Sequence, residues 1–218
     1  MELLSQSPSR GMYDILKNYP TVRLSVTLEP DKIQGFFPLL QCGFMVKVQI
    51  GCSIKTMLCE QFGLNPEYVE DRIQTIFLDG KTVDDIDSAI IKDGSTLALS
   101  AAMPGLAGAT LRRGGHLALL RSGITHRGGR KSVSRREGMV VLKLFNLVVN
   151  ELGPTFLKRG IFVRREDLEG LLMSLPGEFW GGCKAATVDG QEVGLDHLLG
   201  MTWLDNYDFA MLRVHGDL

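Results

Sequence analysis

The chain has 218 residues, of which 44% are hydrophobic and 22% charged, enough apolar material for one large core or two smaller ones and too little polarity for wholesale disorder. Its net charge of −1 hides a sharp division. Residues 1–111 carry nine Lys/Arg against thirteen Asp/Glu and residues 137–218 carry seven against twelve, whereas 112–136 holds eight basic residues and no acid.

The first residues, Met1 to Arg10, contain an early acid and a proline where a secretory leader needs a basic start and an apolar run, so no leader of that kind is expected here. The longest apolar-leaning stretch, Leu97 to Ala109, is broken by Pro104, Gly105 and Gly108 and is too short to cross a bilayer as a helix. Cys42, Cys52, Cys59 and Cys183 form no CxxC pair or zinc spacing. These features point to a cytoplasmic protein with reduced thiols, without a metal, cofactor or membrane partner.

In chain order, residues 1–19 read as an N-terminal extension. Val22 to Glu29 alternates apolar and polar positions, which predicts a half-buried strand ended by Pro30, and Phe44 to Ile50 repeats the pattern. Ser53 is placed to cap a helix carrying Ile54, Met57 and Leu58 on one face, with Gly63 as its stop. Ile73 to Leu78 predicts a strand, Asp79-Gly80 a turn into Lys81 to Val83, and Asp93-Gly94 a turn into a last strand, Thr96 to Ser100. Two strands, a helix and two more strands is the order of a β-grasp, a mixed sheet curled around one helix.

Arg112, Arg113, Arg127, Arg130, Lys131, Arg135 and Arg136 lie in a glycine-rich strap with few apolar residues, which reads as a linker over 112–136. Beyond it, Val140 to Val149 predicts a strand or, since an apolar run does not fix its own period, a buried helix. Gly153-Pro154 is expected to turn the chain, with Gly160 to Val163 pairing back. Arg165 to Leu175 places Leu168, Leu171, Leu172 and Leu175 on one helical face. Lys184 to Val188, an Asp189-Gly190 turn and Phe209 to Val214 complete the series. Asp79-Gly80 and Asp189-Gly190 stand 110 residues apart, the spacing a duplicated domain would leave. The fold class expected is therefore α+β, with a β-grasp domain over 20–111 and a second α+β domain over 137–218 that repeats it.

Ile76 to Lys81, Ile91 to Leu99 and Leu111-Arg-Arg-Gly-Gly115 resemble the second half of ubiquitin, and Lys92 to Leu97 followed by Pro104 to Gly108 resembles the bacterial sulfur carriers of molybdopterin and thiamine synthesis. The resemblance implies a diglycine, Gly114-Gly115, activated at its carboxylate by an adenylating enzyme, with Arg112 and Arg113 as its basic approach. Because about 100 residues follow Gly115, such chemistry would first require cleavage there. The alternative is that Gly114-Gly115 merely begins the linker. The resemblance also implies a partner-binding sheet face centred on Ile76, only partly kept because Ala98 and Ser100 stand where a basic residue and a valine would be.

The strap is a candidate for nucleic-acid phosphates, with affinity that would fall steeply with salt, yet it contains no Phe, Tyr or Trp for bases to stack on. Gly181-Gly-Cys183 has the form of an exposed thiol beside amides, but only His197 is near it in sequence as a base. Asp84-Asp85 and Glu166-Asp167 suit turns and a helix start. Trp180, Trp203 and Tyr207 suit either partner anchoring or packing. With no reactive constellation, the leading expectation is a non-catalytic adaptor that binds a protein partner, followed by a processed carrier and then by a nucleic-acid binder.

Overall fold

The computed structural model describes residues 11–116, 125–126 and 134–216. Its strands are β1 (Thr21–Leu28), β2 (Phe44–Ile50), β3 (Thr75–Leu78), β4 (Lys81–Thr82), β5 (Thr96–Ser100), β6 (Arg136–Phe145), β7 (Ile161–Arg164), β8 (Cys183–Val188), β9 (Gln191–Glu192) and β10 (Phe209–Gly216). The helices are α1 (Met12–Asn18), α2 (Phe37–Cys42), α3 (Ile54–Thr56, continued by a π turn over Met57–Gln61), α4 (Pro66–Asp71), α5 (Gly105–Leu111), α6 (Leu147–Arg159), α7 (Arg165–Ser174) and α8 (Leu195–Gly200).

All ten strands join one mixed open sheet in the order β4-β3-β5-β6-β2-β7-β10-β1-β8-β9. The coarse α+β expectation therefore holds, but the strap does not divide the sheet. β6, which follows residue 135, runs parallel to β5 and antiparallel to β2, and β1 runs parallel to β10, the last strand of the chain. Strands from both sides of the strap thus alternate in a single layer. Hydrophobic periodicity assigns each strand a buried face but not a neighbour, which is why this interleaving was not legible.

The two Asp-Gly turns that stand 110 residues apart share their backbone geometry and hydrogen bonds. Asp79 and Asp189 both take positive φ (50° and 49°), as do Gly80 and Gly190 after them, the geometry of a type I′ hairpin turn. The Asp79 carboxylate accepts the N–H of Thr96 at 2.7 Å, and the Asp189 carboxylate accepts that of Arg23 at 2.9 Å. Val83 N–H donates to Ile76 O, and Val193 N–H donates to Ala186 O, each at 2.9 Å. The equivalent turns lean on different strands: β5, from the same half, and β1, from the other end of the chain.

Each half also runs strand, helix, positive-φ glycine, strand. Gly43 (φ 126°) joins α2 to β2 and Gly160 (φ 102°) joins α6 to β7. These values lie where a Cβ is disfavoured, so glycine suits both corners.

One face of the sheet is covered by α2, α3, α6 and α7, and the continuous core lies between them. On β2, Phe44, Val46, Val48 and Ile50 are buried in the core, whereas Lys47 and Gln49 on the other side are exposed and Met45 there is buried under α1. Ser53 Oγ accepts the N–H of Thr56 at 3.2 Å, so α3 carries the expected cap. The expected turn at Gly153-Pro154 is instead the middle of α6. Burial of Val148, Val149, Leu152, Phe156 and Leu157 along one side, at about 1.5–3 kcal/mol each, outweighs the roughly 3 kcal/mol cost of an internal proline. Gly153 is where α6 crosses α2: a Cβ there would stand 2.9 Å from Leu40 Cδ1 and 3.0 Å from a Phe37 ring carbon. Among the described residues no helix is long and apolar enough to cross a membrane.

Candidate functional site

The diglycine follows a packed corner made by Arg113, with Gly114 itself exposed and nothing within 4 Å of where its Cβ would stand. α5 ends at Leu111, and Arg113 then turns inward until its side chain is only 9% exposed. Its backbone N–H donates to Gln74 O at 2.7 Å. Its guanidinium donates to Val69 O at 3.2 Å, to Glu70 O at 3.1 Å and to the Glu70 carboxylate at 2.8 Å. The two carbonyls belong to the last turn of α4, where acceptors lack helical partners and a cation is favoured. Gly114 follows at φ 62° and donates to Asp84 Oδ1 at 3.1 Å, and the N–H of Gly115 returns to Arg112 O at 3.2 Å. Arg113 thus serves as an anchor in this state rather than as a free basic approach.

Beside this corner lies a groove of about 650 Å³ bordered by Glu70, Asp84, Asp85, Asp87 and Arg112. Its acids are used locally. Asp85 Oδ1 accepts the N–H of Asp87 at 2.9 Å and of Ser88 at 3.2 Å, and the Ser88 hydroxyl leads the interactions that hold this carboxyl below its ordinary value. Lys55 reaches Asp87 at 3.2 Å. No cluster of three or more metal-ligating side chains occurs among the described residues.

Of the other basic candidates, Arg135 and Arg136 are exposed, while Arg127, Arg130 and Lys131 lie outside the described residues. Ile76 is 1% exposed and faces the helix-covered core, so it offers no surface to a partner in this fold. Its strand is inverted relative to a binding patch because the alternation of β3 puts Phe77, not Ile76, on the other side.

Burial raises the thiols of Cys52, Cys59 and Cys183 above their ordinary value, the opposite of what an activated nucleophile needs. Trp180 is buried at 3%, and the indole N–H of Trp203 donates to Leu198 O at 2.9 Å, so both serve packing.

A second region has no counterpart in any sequence motif. On the face away from α2, α3, α6 and α7, the β3–β5 end is closed: Thr75, Thr82 and Ser100 are buried, Thr82 O accepts the N–H of His126 at 2.7 Å, and Asn146 donates to Ser100 Oγ at 2.8 Å. Over β2, β7, β10 and β1, α1 alone packs on this face among the described residues. This short helix sets Tyr13 and Leu16 on Met45 and Met139. It is held by Asp93, whose carboxylate accepts the N–H of Tyr13 at 3.3 Å and of Met139 at 2.8 Å. The Tyr13 hydroxyl donates to Glu137, and that bond is the main reason its pKa is raised.

Beside α1 the register lines up Arg23, Met211, Phe162 and Met45 across four strands, and the next row carries Ser25 and Arg213. Gly160 and Gly43 leave room there: a Cβ on Gly160 would come within 3.1 Å of Arg213 Nε, and one on Gly43 within 3.2 Å of Lys143 Cε. Comparison with family models, curated proteins and solved structures finds no match for this chain.

Proposed function

We propose that the chain is a non-catalytic binding module made of two related halves, each carrying a β-grasp-like helix, strand, Asp-Gly turn and strand, and that its partner docks on the open sheet face over β2, β7, β10 and β1. The observation that supports this reading is the asymmetry of the sheet. One face is sealed by helices, while the other leaves Arg23, Lys47 and Arg213 exposed beside the half-buried Phe162 and Met211. Sheet faces and edges of this kind take up partners without any reacting group. Burial raises the thiols of Cys52, Cys59 and Cys183, and Asp79, Asp85 and Asp189 accept backbone N–H groups within the fold.

The test is site-specific photo-crosslinking in cells. A photoreactive residue at Met211 on the open face is expected to give a discrete adduct, and one at Glu169, half-buried on α7, is expected to give none. Adducts from position 169 alone, or none from either, would overturn the reading.

The alternative, a carrier released by cleavage after Gly115, requires Arg113 to leave its contacts on α4 so that the tail can extend. Intact mass from native cells separates the two: a species ending at Gly115 or bearing a thiocarboxylate would favour the carrier, and the full-length mass alone would favour the binding module.

A further inference from the structure

We infer that the open face binds single-stranded nucleic acid, and that the groove between α1 and β10–β1 seats one of its nucleotides. This rests on the binding-module reading and names the partner. The groove encloses about 320 Å³, near the lower end of ligand-pocket volumes, and is lined by Tyr13, Lys17, Arg23, Lys47, Phe162 and Met211 among others. Three of these six are cations, and among the described residues no carboxylate borders the groove.

The cations are not neutralised by described carboxylates. Lys17 Nζ stands 4.5 Å from the centre of the Tyr13 ring, and Lys47 Nζ lies 5.6 Å from the Phe162 ring and 6.0 Å from the Tyr13 ring. Such contacts hold an ammonium weakly and leave its charge available to an anion. Glu137, the acid on this face of β6, is occupied by the Tyr13 hydroxyl.

The floor matches the other half of a nucleotide. Phe162 and Met211 pair directly across β7 and β10 and are half-buried, so they offer a flat apolar platform beside the cations. A base stacked on such a platform with its phosphate toward lysine and arginine is the arrangement by which single strands are held without sequence readout. The adjacent row runs Arg213, Ser25 and Thr187 along β10, β1 and β8 and ends on Glu192 of β9, while Lys143 stands beyond Gly43 on the other side. A chain of phosphates is therefore a better fit than one free nucleotide. An acidic peptide would satisfy the cations but has nothing to lay on Phe162. The platform that the strap lacks is supplied here, by a different part of the molecule.

The experiment titrates the full chain into a labelled twelve-nucleotide single-stranded oligonucleotide of mixed sequence. With three phosphates neutralised, affinity should fall about twenty-fold between roughly 50 and 200 mM salt, since each contact contributes about 0.7 to the logarithmic slope. Phe162→Ala should weaken binding about ten-fold or more, the loss of one stacked base. Arg23→Gln and Lys47→Gln should each weaken binding and lower the salt slope by about 0.7. Lys158→Gln, on α6, should change nothing, and a mononucleotide should bind far more weakly than the oligomer.

No binding at 50 mM salt, or binding that survives Phe162→Ala but is lost with Arg135→Gln and Arg136→Gln, overturns the inference. A protein adduct from Met211 without oligonucleotide binding would overturn this partner and leave the binding-module reading standing. Circular dichroism of each variant guards against misfolding, and a Phe162→Leu variant that keeps the fold but still loses affinity isolates the aromatic ring.

Discussion

The two faces of the sheet use the same strands for opposite purposes. On β2, Phe44, Val46, Val48 and Ile50 go under the helices, while Met45 and Lys47 meet α1 and the groove. The covered face is apolar and packed ring against ring, as where Phe156 lies 5.3 Å from Phe44 and 5.2 Å from Phe62. The open face collects about one basic residue per strand: Arg23 from β1, Lys47 from β2, Lys143 from β6 and Arg213 from β10. No run of charge along the chain announces it, because its members are drawn from acidic halves and meet only through the strand order. Charge read along the sequence finds the strap; charge read across the register finds the face.

The largest expected effect tests the covered side. Phe156→Ala should cost about 3–5 kcal/mol in chemical denaturation, because a buried ring that touches two others leaves a cavity. A loss under 1 kcal/mol would mean that this face is not close-packed. Next comes the corner that joins β3 to the diglycine. Arg113→Ala should cost about 1–3 kcal/mol and expose the 112–115 segment to proteases, since a nearly buried guanidinium there satisfies two helix-end carbonyls. Unchanged stability and cleavage would show the corner to be undocked.

The shared geometry of the two Asp-Gly turns predicts a matched pair. Asp79→Ala and Asp189→Ala should each cost about 1 kcal/mol by freeing one strand N–H, although their acceptor strands come from opposite ends of the chain. Markedly unequal losses would break the equivalence of the two turns.

A smaller effect concerns the tie between halves, where Tyr68 and Arg72 both donate to Glu151. Arg72 holds the Glu151 carboxyl below its ordinary value of 4.5. A lowered carboxyl stabilises the fold fully above that value and loses the contribution as pH falls through the folded value. The stability gap between the native chain and Glu151→Gln should therefore be flat above about pH 5 and shrink in acid; a gap that grows in acid would contradict this. Smallest of all, Arg213→Gln should move stability by no more than about 0.5 kcal/mol while weakening binding, as befits an exposed side chain whose role is outside the fold.

Much of the local structure was legible. The alternation of β2, the Ser53 cap and the Asp-Gly turns are short-range consequences of side-chain chemistry, and each appears where the residues placed it. In α6 tertiary burial overrides the local breaker Pro154, and α1 carries little helical signature in the sequence because its seven residues hold through Asp93 rather than through helical propensity. The site was least legible. Ile76 was chosen by resemblance and lies in the core, whereas Phe162 and Met211 carry no motif and come together only because β7 and β10 are neighbours.

Lysine acylation footprinting of the full chain, with and without the oligonucleotide, compares the two faces in one measurement. The account predicts that Lys17 and Lys47 become protected while Lys55 and Lys158 keep their reactivity. Protection of Lys55 or Lys158 with Lys17 and Lys47 unchanged would contradict it.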